Sequence, residues 1–179
     1  MEFPFDVRRI LRPDSSGISV VYSREARAPS RELSMIIDNM GSASARAQRL
    51  GSIITTSVRF FSLSDNKLYF KVQDNKVLGF LKTGTKNLFY TDEHGRMKEI
   101  TPLCLLDFYV HEDVQRSGFG KELYEAMLAY ERTSPNKIAI DRPSPKLISF
   151  MRKHYNLSSY IPQNNNYVIY REYFTVWNI

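Results

Sequence analysis

Cysteine is almost absent: Cys104 stands alone in 179 residues, so no internal disulfide and no Cys-based zinc cluster is possible. The three histidines, His94, His111 and His154, do not fall at metal-ligand spacing, and no metal is expected. No apolar run approaches the ~18 residues of a membrane span. The opening residues, MEFPFDVRRILRPD, mix charges and prolines and lack the apolar core of a signal peptide. An intracellular, cytoplasmic and soluble protein without a membrane partner is therefore expected. Internal repeats, low-complexity tracts and linkers are missing too. A formal charge of +6 admits a phosphate-rich ligand or an acidic partner, with solvated basic surface as the bland alternative. No nucleic-acid motif accompanies that charge, and no nucleic-acid partner is expected. Neither G-x-x-x-x-G-K-[ST] nor G-x-G-x-x-G occurs.

What is present is ample core material. Eleven Tyr and eleven Phe exclude a disordered chain, and the length fits one domain, 1–179. The organising stretch is LCLLDFYVHEDVQRSGFGKELYEAMLAY, Leu103 to Tyr130. Leu103 to Val110 is nearly all apolar and too short for an ordinary helix, which predicts a strand buried on both faces. A polar turn, His111 to Asp113, precedes Gln115-Arg116-Ser117-Gly118-Phe119-Gly120. The period then becomes helical, with Leu123, Met127 and Leu128 on one face. Strand, glycine-bearing basic loop and helix can bind a pyrophosphate. Glycines admit close backbone approach, and a helix N-terminus offers unpaired N–H groups and a favourable dipole. The loop alone leaves open a tight turn with no ligand.

Upstream, Ile18 to Tyr22 reads as a strand inside a Pro-, Ser- and Arg-rich stretch, 12–30. Ser30 is a candidate N-cap for a helix carrying Glu32 in its first turn and Leu33, Ile36, Ile37 and Met40 on one face. Gly41 is expected to weaken or break it, with a second helical piece following through Ala43, Ala45, Ala47 and Leu50. From Lys67 the pattern turns β: Lys67–Gln73, Lys76–Thr83 and Asn87–Thr91, with Asp74-Asn75 as a hairpin turn. Glu93 to Arg96 is another turn, and Met97 to Thr101 leads into the central strand. Beyond the long helix, Thr133 to Asn136 is a turn and Lys137 to Asp141 a buried strand. Ser144-Pro145 supplies N-cap and N1 for a helix whose apolar face is Leu147, Ile148, Phe150, Met151 and Tyr155. Tyr167 to Tyr173 reads as a closing strand. The order is that of an α+β domain.

The Q-x-x-G-x-G at Gln115, Gly118 and Gly120, directly after Asp-Phe-Tyr-Val, resembles the acetyl-CoA loop of the GNAT superfamily. Seven blocks extend the likeness: MEFPFDV, IIDNMGSASARAQ, GFLKTGTKNLF, PLCLLDFYVHEDVQRSGFGKELY, AIDRPSPKL, KHYNL and PQNNNYVIY. Together they make the chain similar to the catalytic domain of the α-tubulin N-acetyltransferases, from Met1 to about Phe174. It departs from that family at Lys86-Asn87, where two lysines are frequent, and in the segment after the first helix. No long tail beyond Ile179 is expected.

The resemblance implies a GNAT fold, a mixed central sheet with two parallel strands splayed apart and flanked by helices. It implies direct acetyl transfer from acetyl-CoA to a luminal lysine of α-tubulin, in a monomer working on microtubules, the cytoskeleton and axonemes. A non-catalytic microtubule-binding protein and a GNAT enzyme for another amine are the competing readings. For the cofactor it implies backbone contacts from Phe108, Tyr109, Val110 and His111. The phosphate loop is Gln115, Arg116, Ser117, Gly118, Phe119, Gly120 and Lys121. The second helix flanks the cofactor with Ser144, Lys146, Leu147, Phe150 and Lys153. Read alone, Cys104 is plain core, Asp141 a turn or cap residue and Gln48 a surface helix residue. The resemblance makes all three catalytic: Cys104 as base or acetyl carrier, Asp141 as base or lysine orienter, Gln48 as a positioning group. Ile54, Arg59, Lys86 and Phe89 are candidates for the substrate surface.

Overall fold

The structure, a computed structural model, describes residues 1–24, 29–63 and 65–175. Its strands are β1 (Ile18–Tyr22), β2 (Lys67–Gln73), β3 (Lys76–Thr85), β4 (Leu88–Thr91), β5 (Met97–Ile100), β6 (Leu103–Val110), β7 (Ile138–Asp141) and β8 (Tyr167–Val168). Its helices are α1 (Val7–Leu11), α2 (Arg31–Ala47), α3 (Ser57–Ser62), α4 (Phe119–Glu131) and α5 (Pro145–Tyr155). Among the described residues six strands make one sheet, β1-β2-β3-β6-β7-β8, and β4 pairs with β5. All neighbours in the large sheet are antiparallel except β6 and β7.

Successive strand residues point to opposite faces, so a strand covered on both sides is apolar throughout. On β2, Leu68 and Phe70 face α1, α2 and α3, packing with Val7, Ile36, Ile37, Met40 and Phe60. Tyr69 faces the other way, with Leu81 of β3 and Leu105 of β6, against Leu123, Tyr124 and Met127 of α4 and Met151 of α5. Caps fix the helix starts: Ser30 Oγ accepts from Leu33 N–H at 3.1 Å, and Ser144 Oγ from Leu147 N–H at 3.2 Å. No helix among the described residues is long and apolar enough to cross a membrane.

The parallel pair matters most for function. Leu103, Cys104 and Leu105 pair with Ile138, Ala139 and Ile140, and there the ladder stops. Arg142, at φ +43°, turns the chain away, while β6 continues alone on that edge to Val110. The splay is therefore present.

Two sequence expectations need correcting. Gly41 does not break a helix: α2 runs unbroken from Arg31 to Ala47. A Cβ on Gly41 would lie 1.8 Å from the Thr55 carbonyl oxygen, so glycine is there to let the next segment cross the helix. Met97–Ile100 leads through Thr101 and Pro102 into β6 as expected, and it also pairs with β4 as a separate hairpin. The closing strand is only Tyr167–Val168, because Tyr170 bridges to Tyr160 and Arg171 N–H bonds to Ser159 O, pulling the chain off the sheet edge. Helices α1 and α3, capped by Asp6 and Thr56, were too short to show a period. Within 12–30, residues 25–28 lie outside the described residues.

Candidate active site

The unpaired edge of β6 opens on a cleft of ≈ 630 Å³, a size usual for small-molecule sites (about 300–1,000 Å³). β6 and its following loop form one wall, the end of β7 with α5 the other, and the segment from Ala47 to Ile54 closes a third side. His111 N–H bonds to Leu78 O of β3 at 2.8 Å, so alternation turns the backbone of Phe108 and Val110 toward the cleft. Gln115 Nε2 donates to the Val110 carbonyl at 2.9 Å, tying the loop to the strand end.

The loop is built for an anion. Arg116 and Gly118 adopt φ of +70° and +86°, and Gly118 caps α4 without a side-chain hydrogen bond. The first N–H groups of α4 are thus left for a ligand. Gly120 lies where a Cβ would be 3.6 to 3.8 Å from Val110, Phe108 and Phe150, so its lack of a side chain keeps cleft space open. Five basic side chains line the same cleft: Arg116, Lys121, Arg142, Lys146 and Lys153. Phe108 stacks parallel on Tyr124 at 6.1 Å with Phe150 edge-on at 5.8 Å, a stiff apolar floor.

The cleft also holds carboxylates. Asp141 is half-buried at the tip of β7, and burial raises its pKa against the opposing pull of Arg142, Lys82 and Lys86. Asp107 is buried and accepts from Ser44 Oγ at 2.7 Å, Thr55 Oγ1 at 2.6 Å and Phe108 N–H at 3.0 Å. Opposite it in the β3–β6 register is Lys82, also buried, whose pKa is lowered by that burial although Asp107 pulls it up. Gln48 caps the C-terminus of α2 and lines the cleft.

The cleft gathers Gln48, Ile54, Phe108, Tyr109, Val110, Gln115, Arg116, Gly118, Gly120, Lys121, Asp141, Ser144, Lys146, Leu147, Phe150 and Lys153. Other candidates lie off its walls. Cys104 is fully buried among Leu88, Tyr90, Leu106, Ala139 and Ile169, and burial pushes its thiol up to about 12. The His111 ring accepts from Asp113 N–H, Ser117 Oγ donates to Val114 O, and Phe119 lies under Lys71 on another face. Arg59 donates to Ile53 O, bracing the segment that carries Ile54. Lys86 N–H bonds to Pro102 O at 3.2 Å, and Phe89 is exposed on β4. Asp107, Arg142 and His154 line the cleft without having been singled out by sequence. The only signal for Asp107 was a carboxylate inside an apolar run.

A mixed sheet split between two parallel strands, over a basic cleft at a glycine-led helix, is the architecture of an acyl-CoA-binding acetyltransferase. The chain belongs to the Mec-17 family of GNAT acetyltransferases, whose model matches residues 4–178. It is 46% identical to the α-tubulin N-acetyltransferase of Tetrahymena thermophila, covering 97% of this chain and 45% of that protein. It is 41% identical to the Aedes aegypti α-tubulin N-acetyltransferase, covering 97% and 68%. With α-tubulin N-acetyltransferase 1 of Drosophila melanogaster the identity is 41%, over 97% and 41%. The chain thus spans less than half the length of the Tetrahymena and Drosophila relatives.

Proposed function

We propose that this chain transfers the acetyl group of acetyl-CoA to a lysine of α-tubulin, on the luminal side of microtubules, directly and with both substrates held together. The observation that carries the reading is the cleft at the β6–β7 splay, lined by basic side chains and by the half-buried carboxylate of Asp141. The names of the relatives supply the substrate.

The residues fit acetyl-CoA, which when bound supplies the activated acetyl group. Arg116, Lys121, Lys146 and Lys153, with the α4 N-terminus, would hold its phosphates. The free edge of β6 at Phe108 and Val110 would take the amide-bearing arm as an added strand. A free lysine, with a pKa of about 10.4, must lose a proton before it can attack. Asp141 is the group suited to take it. An ordinary carboxylate is a weak base, but burial raises its pKa toward the working range. Burial pushes the Cys104 thiol up to about 12, so this reading gives the proton to Asp141 rather than to Cys104.

The test is to incubate the protein and acetyl-CoA with microtubules and map acetyl-lysine by mass spectrometry, with Asp141→Asn as control. Acetylation of α-tubulin by wild type alone is expected. No signal above the control, or faster turnover on polyamines or histone peptides, overturns the reading.

A further inference from the structure

The Gln48 side chain is held from one end. Its Nε2 donates to Ser44 Oγ at 2.8 Å and to Asp107 Oδ1 at 3.2 Å. A side-chain amide can sit either way round, because its nitrogen and oxygen have nearly the same shape, so the neighbours must decide. Asp107 is a carboxylate and only accepts. Ser44 has a single hydroxyl proton, which goes to Asp107 Oδ1 at 2.7 Å, so it offers Gln48 only lone pairs. Both partners therefore require the amide nitrogen. Oε1 is left as an acceptor, and among the described residues no donor reaches it.

Asp107 can impose this because it is itself fixed. Thr55 Oγ1 donates to Oδ2, Phe108 N–H donates to Oδ1, and Lys82 lies beside it in the adjacent strand. Thr55 in turn is set by the close crossing of its backbone over Gly41. A mid-helix glycine, two hydroxyls and a buried carboxylate thus converge on one amide.

We propose that Asp107, with Ser44 and Thr55, is a positioning centre that locks the Gln48 amide with its carbonyl oxygen toward the cleft. Gln48 then presents an acceptor to an N–H of the incoming lysine amine. An amine aligned this way keeps its lone pair free to attack. The same orientation excludes Gln48 as a donor to the negative oxygen that develops on the acetyl carbonyl. This assignment rests on the acetyltransferase reading, which supplies the amine.

Two measurements test it, the second independent of any activity. The first is kcat on microtubules, with the dissociation constant for acetyl-CoA measured separately by calorimetry. Because displacing a substrate-positioning group by about 1 Å can cost about 100-fold, Asp107→Asn should lower kcat on that order. Thr55→Val, which keeps shape but removes the donor to Asp107, should lower kcat about tenfold with acetyl-CoA affinity unchanged, and Thr55→Ser should recover most of the loss. The second is the nitrogen-15 resonance of the Gln48 side-chain NH2, assigned through Gln48→Met. Its protons should exchange slowly in wild type and fast in Asp107→Asn and Thr55→Val. Equal kcat for folded Thr55→Val and Thr55→Ser overturns the proposal. So do Gln48 NH2 signals that Asp107→Asn leaves unchanged. If wild type fails to acetylate microtubules, the acetyltransferase reading falls, and the exchange measurement still decides the amide orientation.

Discussion

Substituting alanine for Gly41 is the perturbation whose sign depends most on tertiary structure. In the interior of a 17-residue helix, glycine costs about 1 kcal/mol relative to alanine, so helix propensity alone makes Gly41→Ala stabilising. The added methyl, however, would meet the Thr55 carbonyl oxygen at 1.8 Å and its carbon at 2.9 Å, both backbone atoms. To regain ordinary contact near 3.4 Å the Thr55 segment must retreat by about 1.5 Å, an overpacking that costs about 1–3 kcal/mol. That movement also breaks the 2.6 Å bond from Thr55 to Asp107, removing a donor from a buried carboxylate at a cost of about 1–3 kcal/mol. The two costs exceed the propensity gain by about 3 kcal/mol, or about 9 °C in Tm for a domain of this size. Differential scanning calorimetry measures it, with Gly51→Ala as the comparison, since a Cβ there meets nothing within 4 Å. A Gly41→Ala protein melting at or above wild type refutes the close crossing and the reasoning built on it.

Asp141→Asn should lower kcat by about 100- to 1,000-fold while leaving the dissociation constant for acetyl-CoA within about twofold, measured by steady-state kinetics and calorimetry. In wild type the active form of Asp141 is the carboxylate, and burial raises its pKa. Activity should therefore climb as pH rises through that raised value, and a flat acid limb in the pH–rate profile counts against Asp141 as base. Cys104 should resist alkylation in the folded protein near pH 8, a little below the pKa of about 8.5 of a free thiol, and react once unfolded. Rapid labelling of the native protein, or an acetyl adduct on Cys104 after acid quench, contradicts its assignment as an inert buried thiol. Gly118→Ala forces a Cβ into φ +86° and should cost about 1 kcal/mol of stability together with weaker acetyl-CoA binding, read by thermal shift with and without ligand.

Strongly patterned segments were legible directly. The apolar run Leu103–Val110, the Asp74-Asn75 turn and the Ser144-Pro145 start each pair a local signal with a local cause, and each appears where expected. Gly41 was misread because propensity knows the helix but not what crosses it. The strand at Met97–Ile100 left no signal of its own, because its residues are mostly exposed and carry no buried face.

The cofactor loop of the cleft was visible for the same reason as the strand before it. Gly118, Gly120 and the basic residues around them act through backbone conformation and charge, which a short stretch of chain carries by itself. The cluster around Asp107 was not. That Gln48, Ser44 and Thr55 meet on Asp107 depends on contacts spanning 52 to 63 residues, and hydrogen bonds across such separations leave no period or spacing in the sequence. The burial of Cys104 is of that kind too, since its surroundings come from β4, β7 and the chain after β8. The sequence by itself determined the elements and the anion loop. Only the tertiary structure decided which polar groups are buried together, because desolvation and hydrogen-bond direction exist only once the chain has packed.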